Sequence, residues 1–183
     1  MKKKLLKEAM LQHKLIAFRT EKERWGESII GYVVELTENN ITVNEIDEIG
    51  SFNGFSTFKL DDIVDIVMDD KTLRCLTSLN TNNKQISTNT TSTIWGIGDE
   101  MKNHILLMKQ RNELFTLFIE DDETSVIGFV NDIDDKSVLV DMVDNYGEEN
   151  GKILIPFEII TGIRWKSAED QARLILYNHN NPA

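Results

Sequence analysis

Two kinds of hydrophobic pattern alternate along the chain, and the same series of patterns occurs twice. Residues 4–14 place Leu6, Met10 and His13 at the spacing i, i+4, i+7, which predicts a short helix. Segments rich in β-branched and aromatic residues follow and predict five strands, at 15–20, 28–36, 41–46, 55–60 and 63–68. A second helix is predicted at 99–112, followed by strands at 113–119, 126–133, 137–143, 152–157 and 160–165. Ser167 and Asp170 have the spacing of a capping box, which predicts a terminal helix.

The two series are related by a fixed shift of 97 positions (128 − 31 = 97). Without a gap, this shift places segment 31–66 on segment 128–163. Nine pairs are then identical: Gly31/Gly128, Val33/Val130, Val43/Val140, Asp47/Asp144, Gly50/Gly147, Asn53/Asn150, Gly54/Gly151, Ile63/Ile160 and Ile66/Ile163. Most of them are turn residues or aliphatic residues in phase for a core. A shift that keeps both is typical of a duplicated fold.

Residues that tolerate a left-handed backbone mark the turns of the first copy. Asn39-Asn40 predicts the reversal after the second strand, and Asn53-Gly54 predicts a tight hairpin before the fourth. Within the second strand, simple alternation places Tyr32, Val34 and Leu36 on one face.

The polar stretch 80–93 reads NTNNKQISTNTTST and holds too few hydrophobic residues to offset the entropy of ordering it. We therefore expect a first domain at 1–79, a polar linker at 80–98 and a second domain at 99–183 with a C-terminal helix. Residues 69–79 fit either a short helix or an added strand. The predicted fold class is mainly β with short helices: two tandem five-stranded barrels, each preceded by a helix.

Charge disfavours nucleic acid as a general partner. The net charge is −11 and the isoelectric point is near 4.7. Segment 31–70 holds ten acidic residues against Lys59 alone, and such a surface repels phosphate backbones. Basic residues do cluster in the first helix and the hairpin after it, where nucleic acid could be contacted by Lys3, Lys4, Lys7, Arg19, Lys22 and Arg24.

The sequence does not contain a catalytic or metal-binding constellation. His13, His104 and His179 are far apart, and none has a second histidine or cysteine at ligand spacing. The run Glu120–Glu123 is typical of a solvated turn, and Cys75 is the only cysteine. We expect no enzymatic activity, cofactor or metal. With no apolar run long enough to span a bilayer, no export signal and no disulfide, we expect a cytoplasmic protein that does not contact a membrane.

A helix followed by five bent strands in this order resembles the Sm-like barrel superfamily, which includes the Sm, LSm and Hfq proteins. The second copy is similar to the bacterial YolD-like family on its segments GFVNDID (128–134) and IPFEIITGI (155–163); FKLDDIVDI (58–66) is the weaker counterpart in the first copy. The resemblance implies RNA binding through an aspartate and asparagine between strands two and three, where Asn39 or Asn40 stands, and an Arg-Gly pair near strand five. At that last site the chain has Val64-Asp65 and Thr161-Gly162. The YolD-like resemblance implies a bacterial accessory role linked to DNA damage, without an assigned enzymatic activity.

These patterns favour a non-enzymatic interaction or adaptor protein. An open small barrel leaves unpaired backbone groups on its edge strands, and another strand commonly covers them. We therefore expect binding to protein partners, or self-association, through exposed strand edges. The alternative is a nucleic-acid-binding accessory protein, in RNA regulation or the DNA-damage response, that uses the basic helix and first hairpin.

Overall fold

The computed structural model describes residues 1–20, 28–86, 91–96 and 99–182, without the side chains of 99 and 121–123. The chain divides into two compact units, Met1–Asn83 and Lys84–Ala183. They are called the N-terminal and C-terminal units below. In the described part of the chain, no helix is long and apolar enough to cross a membrane.

The N-terminal unit is a five-stranded antiparallel sheet between two helices. In chain order its elements are α1 (Lys2–Leu11), β1 (Leu15–Arg19), β2 (Ile29–Leu36), β3 (Asn40–Ile46), β4 (Phe52–Lys59), β5 (Asp65–Met68) and α2 (Lys71–Asn82). The strands lie in the order β4-β3-β2-β1-β5. A 3-10 turn at Leu60–Asp62 connects the fourth strand to the fifth.

The C-terminal unit repeats this plan with one strand more. Its elements are β6 (Ser92–Trp95), α3 (Asp99–Arg111), β7 (Phe115–Ile119), β8 (Asp121–Ile133), β9 (Ser137–Val143), β10 (Glu149–Pro156), β11 (Ile160–Trp165) and α4 (Ala168–Asn180). The strand order is β10-β9-β8-β7-β11-β6. Here too a 3-10 turn, Phe157–Ile159, precedes the strand that pairs with the first strand of the repeat.

The mainly β class and the two antiparallel sheets are confirmed, but the second sheet differs from the prediction in its number of strands. The second sheet has six strands, because β6 pairs with β11 inside the segment expected as a linker. The same segment begins with the last turn of α2, which resolves the ambiguity at 69–79 in favour of a helix. Among the described strands, the fourth and fifth of each repeat do not pair with each other, so the two barrels stay a prediction.

The expected hairpin at Asn53-Gly54 is also wrong, because both residues lie inside β4. The chain reverses earlier, where Oδ1 of Asp47 accepts hydrogen bonds from the backbone nitrogens of Ile49 (3.1 Å) and Ser51 (2.8 Å). The Asp47 side chain thus stabilises the turn by binding two backbone amides within it.

Backbone hydrogen bonding repeats at the shift seen in the sequence. Oδ1 of Asp144, 97 residues after Asp47, accepts from the nitrogens of Tyr146 (2.8 Å) and Glu148 (2.9 Å). A β-bulge interrupts β2 between Val33 and Glu35, and β8 has one between Val130 and Asp132.

The first strand of each repeat follows a shift of 99. Ile16 lies opposite Gly31, and Phe115 lies opposite Gly128 (115 − 16 = 99). The C-terminal copy is therefore two residues shorter than the N-terminal copy between the first and second strands (31 − 16 = 15, 128 − 115 = 13).

Both helices of each unit contribute buried apolar residues. In the N-terminal unit, Leu6 and Ala9 of α1 pack on an inner cluster that includes Ile16, Phe18 and Val43. In the C-terminal unit, α3 covers the equivalent core, while Leu174 and Tyr177 of α4 pack against a second cluster formed by Leu114, Ile127, Phe129 and Val143. Because helices pack on the sheets, the edge strands are the parts of each sheet where a further strand could bind.

The final helix of each unit lies against the aspartate turn, and a glycine makes the contact possible. Gly147 has φ +72°, and a Cβ on it would lie 2.4 Å from the backbone nitrogen of Tyr177. Gly50 has φ +79°, and its Cβ would lie 2.6 Å from the nitrogen of Asn80. Gly151 also has a positive φ, +77°, but a Cβ there would meet nothing within 4 Å.

Gly147→Ala should therefore destabilise the protein more than Gly151→Ala. Both variants carry the strain of an alanine at positive φ, about 1–2 kcal/mol. Only Gly147→Ala also pushes α4 away, which adds about 1–3 kcal/mol of overpacking. Denaturant unfolding of both variants measures the difference. Equal losses of stability would contradict the helix contact.

Candidate functional site

The outer edge of β4 carries two exposed phenylalanines. Phe52 and Phe55 are 56% and 70% exposed. Their pairing partners on β3 are Ile46 and Asn44, and β4 is the last strand on this side of the described sheet. Exposed aromatic side chains beside unpaired backbone groups are typical of an interaction surface rather than of a solvated edge.

Phe52 ends a row of three rings whose middle member, Tyr32, is buried. The rings of His13 and Tyr32 stack at 4.5 Å with planes 8° apart, and the Tyr32 and Phe52 ring centres are 6.4 Å apart. Burial raises the pKa of the Tyr32 hydroxyl, although a hydrogen bond with Thr77 opposes the shift. The buried tyrosine thus gives Phe52 a fixed support.

The equivalent edge of the C-terminal unit is charged. The shift of 97 places Glu149 and Lys152 on β10 where Phe52 and Phe55 stand on β4. Nζ of Lys152 lies 3.0 Å from Oδ1 of Asp141 on the neighbouring strand, and Asn131 donates to Oδ2 of Asp141 at 2.8 Å. A cleft of about 290 Å³ lies at this edge, and its lining includes Asp141, Glu149 and Lys152. The pair of exposed phenylalanines is therefore a property of the N-terminal copy.

The second edge of the N-terminal sheet is β5, and the two copies differ there as well. In the C-terminal unit, β6 pairs antiparallel with the outer side of β11. In the N-terminal unit, no described strand pairs with the outer side of β5. Val67, on that strand, is 39% exposed.

An ion pair connects β5 to β1. Nε of Arg19 donates to Oδ2 of Asp65 at 2.8 Å, and the terminal Nη2 donates to the same oxygen. The Arg19 guanidinium holds the pKa of Asp65 below its ordinary value of 3.8. This carboxylate is therefore ionised at neutral pH.

The predicted basic cluster is only partly brought together. Lys3, Lys4 and Lys7 are exposed on α1, and Nζ of Lys3 lies 3.3 Å from the carbonyl oxygen of Glu38. Arg19 is 6% exposed and bound to Asp65, a position that does not favour contact with a phosphate. Lys22 and Arg24 lie outside the described residues.

The other polar groups of interest have local structural partners. The hydroxyl of Thr116 donates to Oδ1 of Asp170 at 2.7 Å, while Oδ2 of Asp170 accepts from the Ser167 nitrogen at 2.9 Å. The predicted capping box of α4 is confirmed, and Ser167 accepts from the Asp170 nitrogen. Among the residues whose structure is described, no group of three histidine, cysteine, aspartate or glutamate side chains could hold a metal ion.

Sequence reasoning missed Phe52, Phe55 and the Arg19–Asp65 pair. The first two could have been found by comparing the copies position by position, because the shift exchanges two aromatic residues for two charged ones. The ion pair joins residues 46 positions apart, and a sequence pattern does not indicate which strands are neighbours.

Neither a protein-family model, nor a curated protein, nor a solved structure matches this chain.

Asp65→Asn should weaken the protein at neutral pH by an amount that shrinks in acid. Because the folded pKa is depressed, ionised Asp65 contributes stability above its unfolded pKa, near 3.9, and loses it as the pH falls through the folded value. Denaturant unfolding of wild type and variant between pH 7 and the acid limit of folding measures this convergence. Asp62→Asn, on the exposed turn, is the control, and a constant gap between wild type and Asp65→Asn would refute the coupling.

Proposed function

We propose that this is a non-enzymatic interaction protein, built from two Sm-like barrel domains, that binds protein partners or further copies of itself through exposed strand edges. A leading helix, five antiparallel strands and a short turn before the last strand of each repeat support the Sm-like resemblance.

One observation carries the proposal: among the described residues, no strand covers β4 or β5 of the N-terminal unit, whereas in the C-terminal unit β10 carries charged residues and β6 covers β11. Edge strands present a row of unpaired amides and carbonyls, and natural proteins usually protect them with charge or with another element. The C-terminal unit uses both devices, with Lys152 on β10 and β6 over β11. The N-terminal unit instead presents Phe52 and Phe55 on β4.

Phe52→Glu/Phe55→Lys should abolish self-association through β4. The double variant installs the residues of the C-terminal copy, so it removes apolar area and adds charge without a change of fold. Sedimentation velocity over a range of concentrations should show that the wild type associates and that the variant binds itself at least about tenfold more weakly.

Leu154→Thr is the matched control, because Leu154 is exposed on β10 and threonine is the residue at the equivalent position 57. It should leave association unchanged. Equal weakening by both variants, or a wild type that stays monomeric at millimolar concentration, would refute self-association through this edge.

A second candidate function is nucleic-acid binding, and the three exposed lysines of α1 favour it. Lys3, Lys4 and Lys7 lie within two turns of one helix. The net charge of −11 opposes binding elsewhere on the surface.

Titration of RNA and DNA at two salt concentrations tests this candidate. If the three lysines contact phosphates, the slope of log K against log salt should be about −3 for duplex DNA. Lys3→Glu/Lys4→Glu/Lys7→Glu should then abolish binding. Absence of binding at low salt would exclude the candidate.

A further inference from the structure

In the C-terminal unit, β11 lies beside the first strand of the repeat, and its outer edge is paired with a further strand. Strand β6 pairs with β11 so that Ile94 lies opposite Ile163 and Trp95 lies opposite Gly162. Ile94 packs against the inner core. Four residues of extended chain thus supply one apolar side chain to the core and one side chain to the outer face.

The place of Trp95 depends on the absence of a side chain at Gly162. A Cβ on that glycine would lie 2.5 Å from a ring carbon of Trp95. Phe118 on β7 completes the contact, with its ring centre 4.9 Å from that of Trp95. Gly162 and Phe118 together form the contact site of the Trp95 ring, and this pair of positions is called the seat below.

The N-terminal unit has the same backbone arrangement and a different seat. Ile66 pairs with Phe18 as Ile163 pairs with Leu117, so Asp65 is the counterpart of Gly162. By the shift of 99, Arg19 is the counterpart of Phe118. An incoming tryptophan would collide with the Asp65 side chain. The inner residue Ile66 keeps its apolar character.

Charge indicates what the altered seat accepts. Nε and Nη2 of Arg19 donate to Oδ2 of Asp65, and the Asp65 side chain remains 38% exposed. This exposed carboxylate is accessible to a cation that approaches from the edge. Asp61 and Asp62 are exposed on the turn just before β5, so the surroundings add negative potential.

From these contacts we infer that the outer edge of β5 binds an extended segment of a partner protein in the antiparallel register of β6. The segment carries an apolar residue opposite Ile66 and a lysine or arginine opposite Asp65. Backbone pairing supplies affinity, and the two side chains supply specificity. This inference rests on the proposed function and names the chemistry of the partner at one of its edges.

Three blocked hexapeptides test the inference on the intact protein. The first, TSTIWG, is the chain's own segment 91–96. The second, TSTIKG, replaces the tryptophan with lysine, and the third, KSTITG, has the same charge in another position. Titration of each peptide is followed by the ¹H–¹⁵N shifts of β5 amides, with β11 amides as an internal control because β6 covers them.

TSTIKG should shift the β5 amides saturably and bind at least about tenfold more tightly than either other peptide, because a charge-assisted hydrogen bond is gained at one position only. Equal affinity of KSTITG and TSTIKG, or the absence of β5 shifts with all three, would overturn the inference. The β4 association test does not depend on this result, so the two failures are distinguishable.

Arg19→Phe/Asp65→Gly transplants the seat of the C-terminal unit onto β5. The preference should reverse, and TSTIWG should become the tighter ligand. An unchanged preference in a folded variant would overturn the inference. If the variant does not fold, the comparison of the three peptides on the wild type still decides the matter.

Discussion

The unpaired backbone at the edge of an antiparallel sheet is the constraint on which this structure depends. Every amide and carbonyl there needs a hydrogen-bond partner, either water or another strand. Charged side chains on an edge strand discourage pairing with other chains. In the C-terminal unit, β6 supplies that strand to β11. Among the described residues, β5 of the N-terminal unit has no such partner, although its pairing with β1 follows the same register. The two edge strands thus pair with the first strand of their repeat in the same register, and they differ in whether a described strand pairs with their other side.

The two copies share a scaffold and differ where the sheet ends. Asp47 and Asp144 make the same turn, and the bulges at Val33 and Val130 fall at equivalent positions. Where the C-terminal copy has the charged residues Glu149 and Lys152, the N-terminal copy has two exposed phenylalanines. Among the described residues, the scaffold is thus duplicated with β11 paired on both sides in one copy and β5 paired on one side in the other.

Sequence patterns predicted the repeat, most strands and the capping box of α4, because these depend on local spacing and on turn chemistry. They failed where tertiary contacts decide. Simple alternation placed Tyr32 and Val34 on one face, but the bulge after Val33 breaks the phase: Tyr32 is buried and Val34 is exposed. The segment around Ile94 has too few apolar residues to predict a strand. It forms one because β11 offers an edge, with Gly162 leaving space for Trp95. Edge exposure itself depends on strand order, which local patterns do not contain.

Amide hydrogen exchange along β5 and β11 tests the central claim most directly, because it reports edge occupancy residue by residue. In dilute protein, alternate amides of β11 should be protected by β6, while their counterparts on β5 should exchange rapidly. Addition of a partner or of further copies should then slow exchange on the N-terminal edges alone. Protection of both sides of β5 in the dilute monomer would contradict the account, since it would mean that the N-terminal unit already covers its own edge.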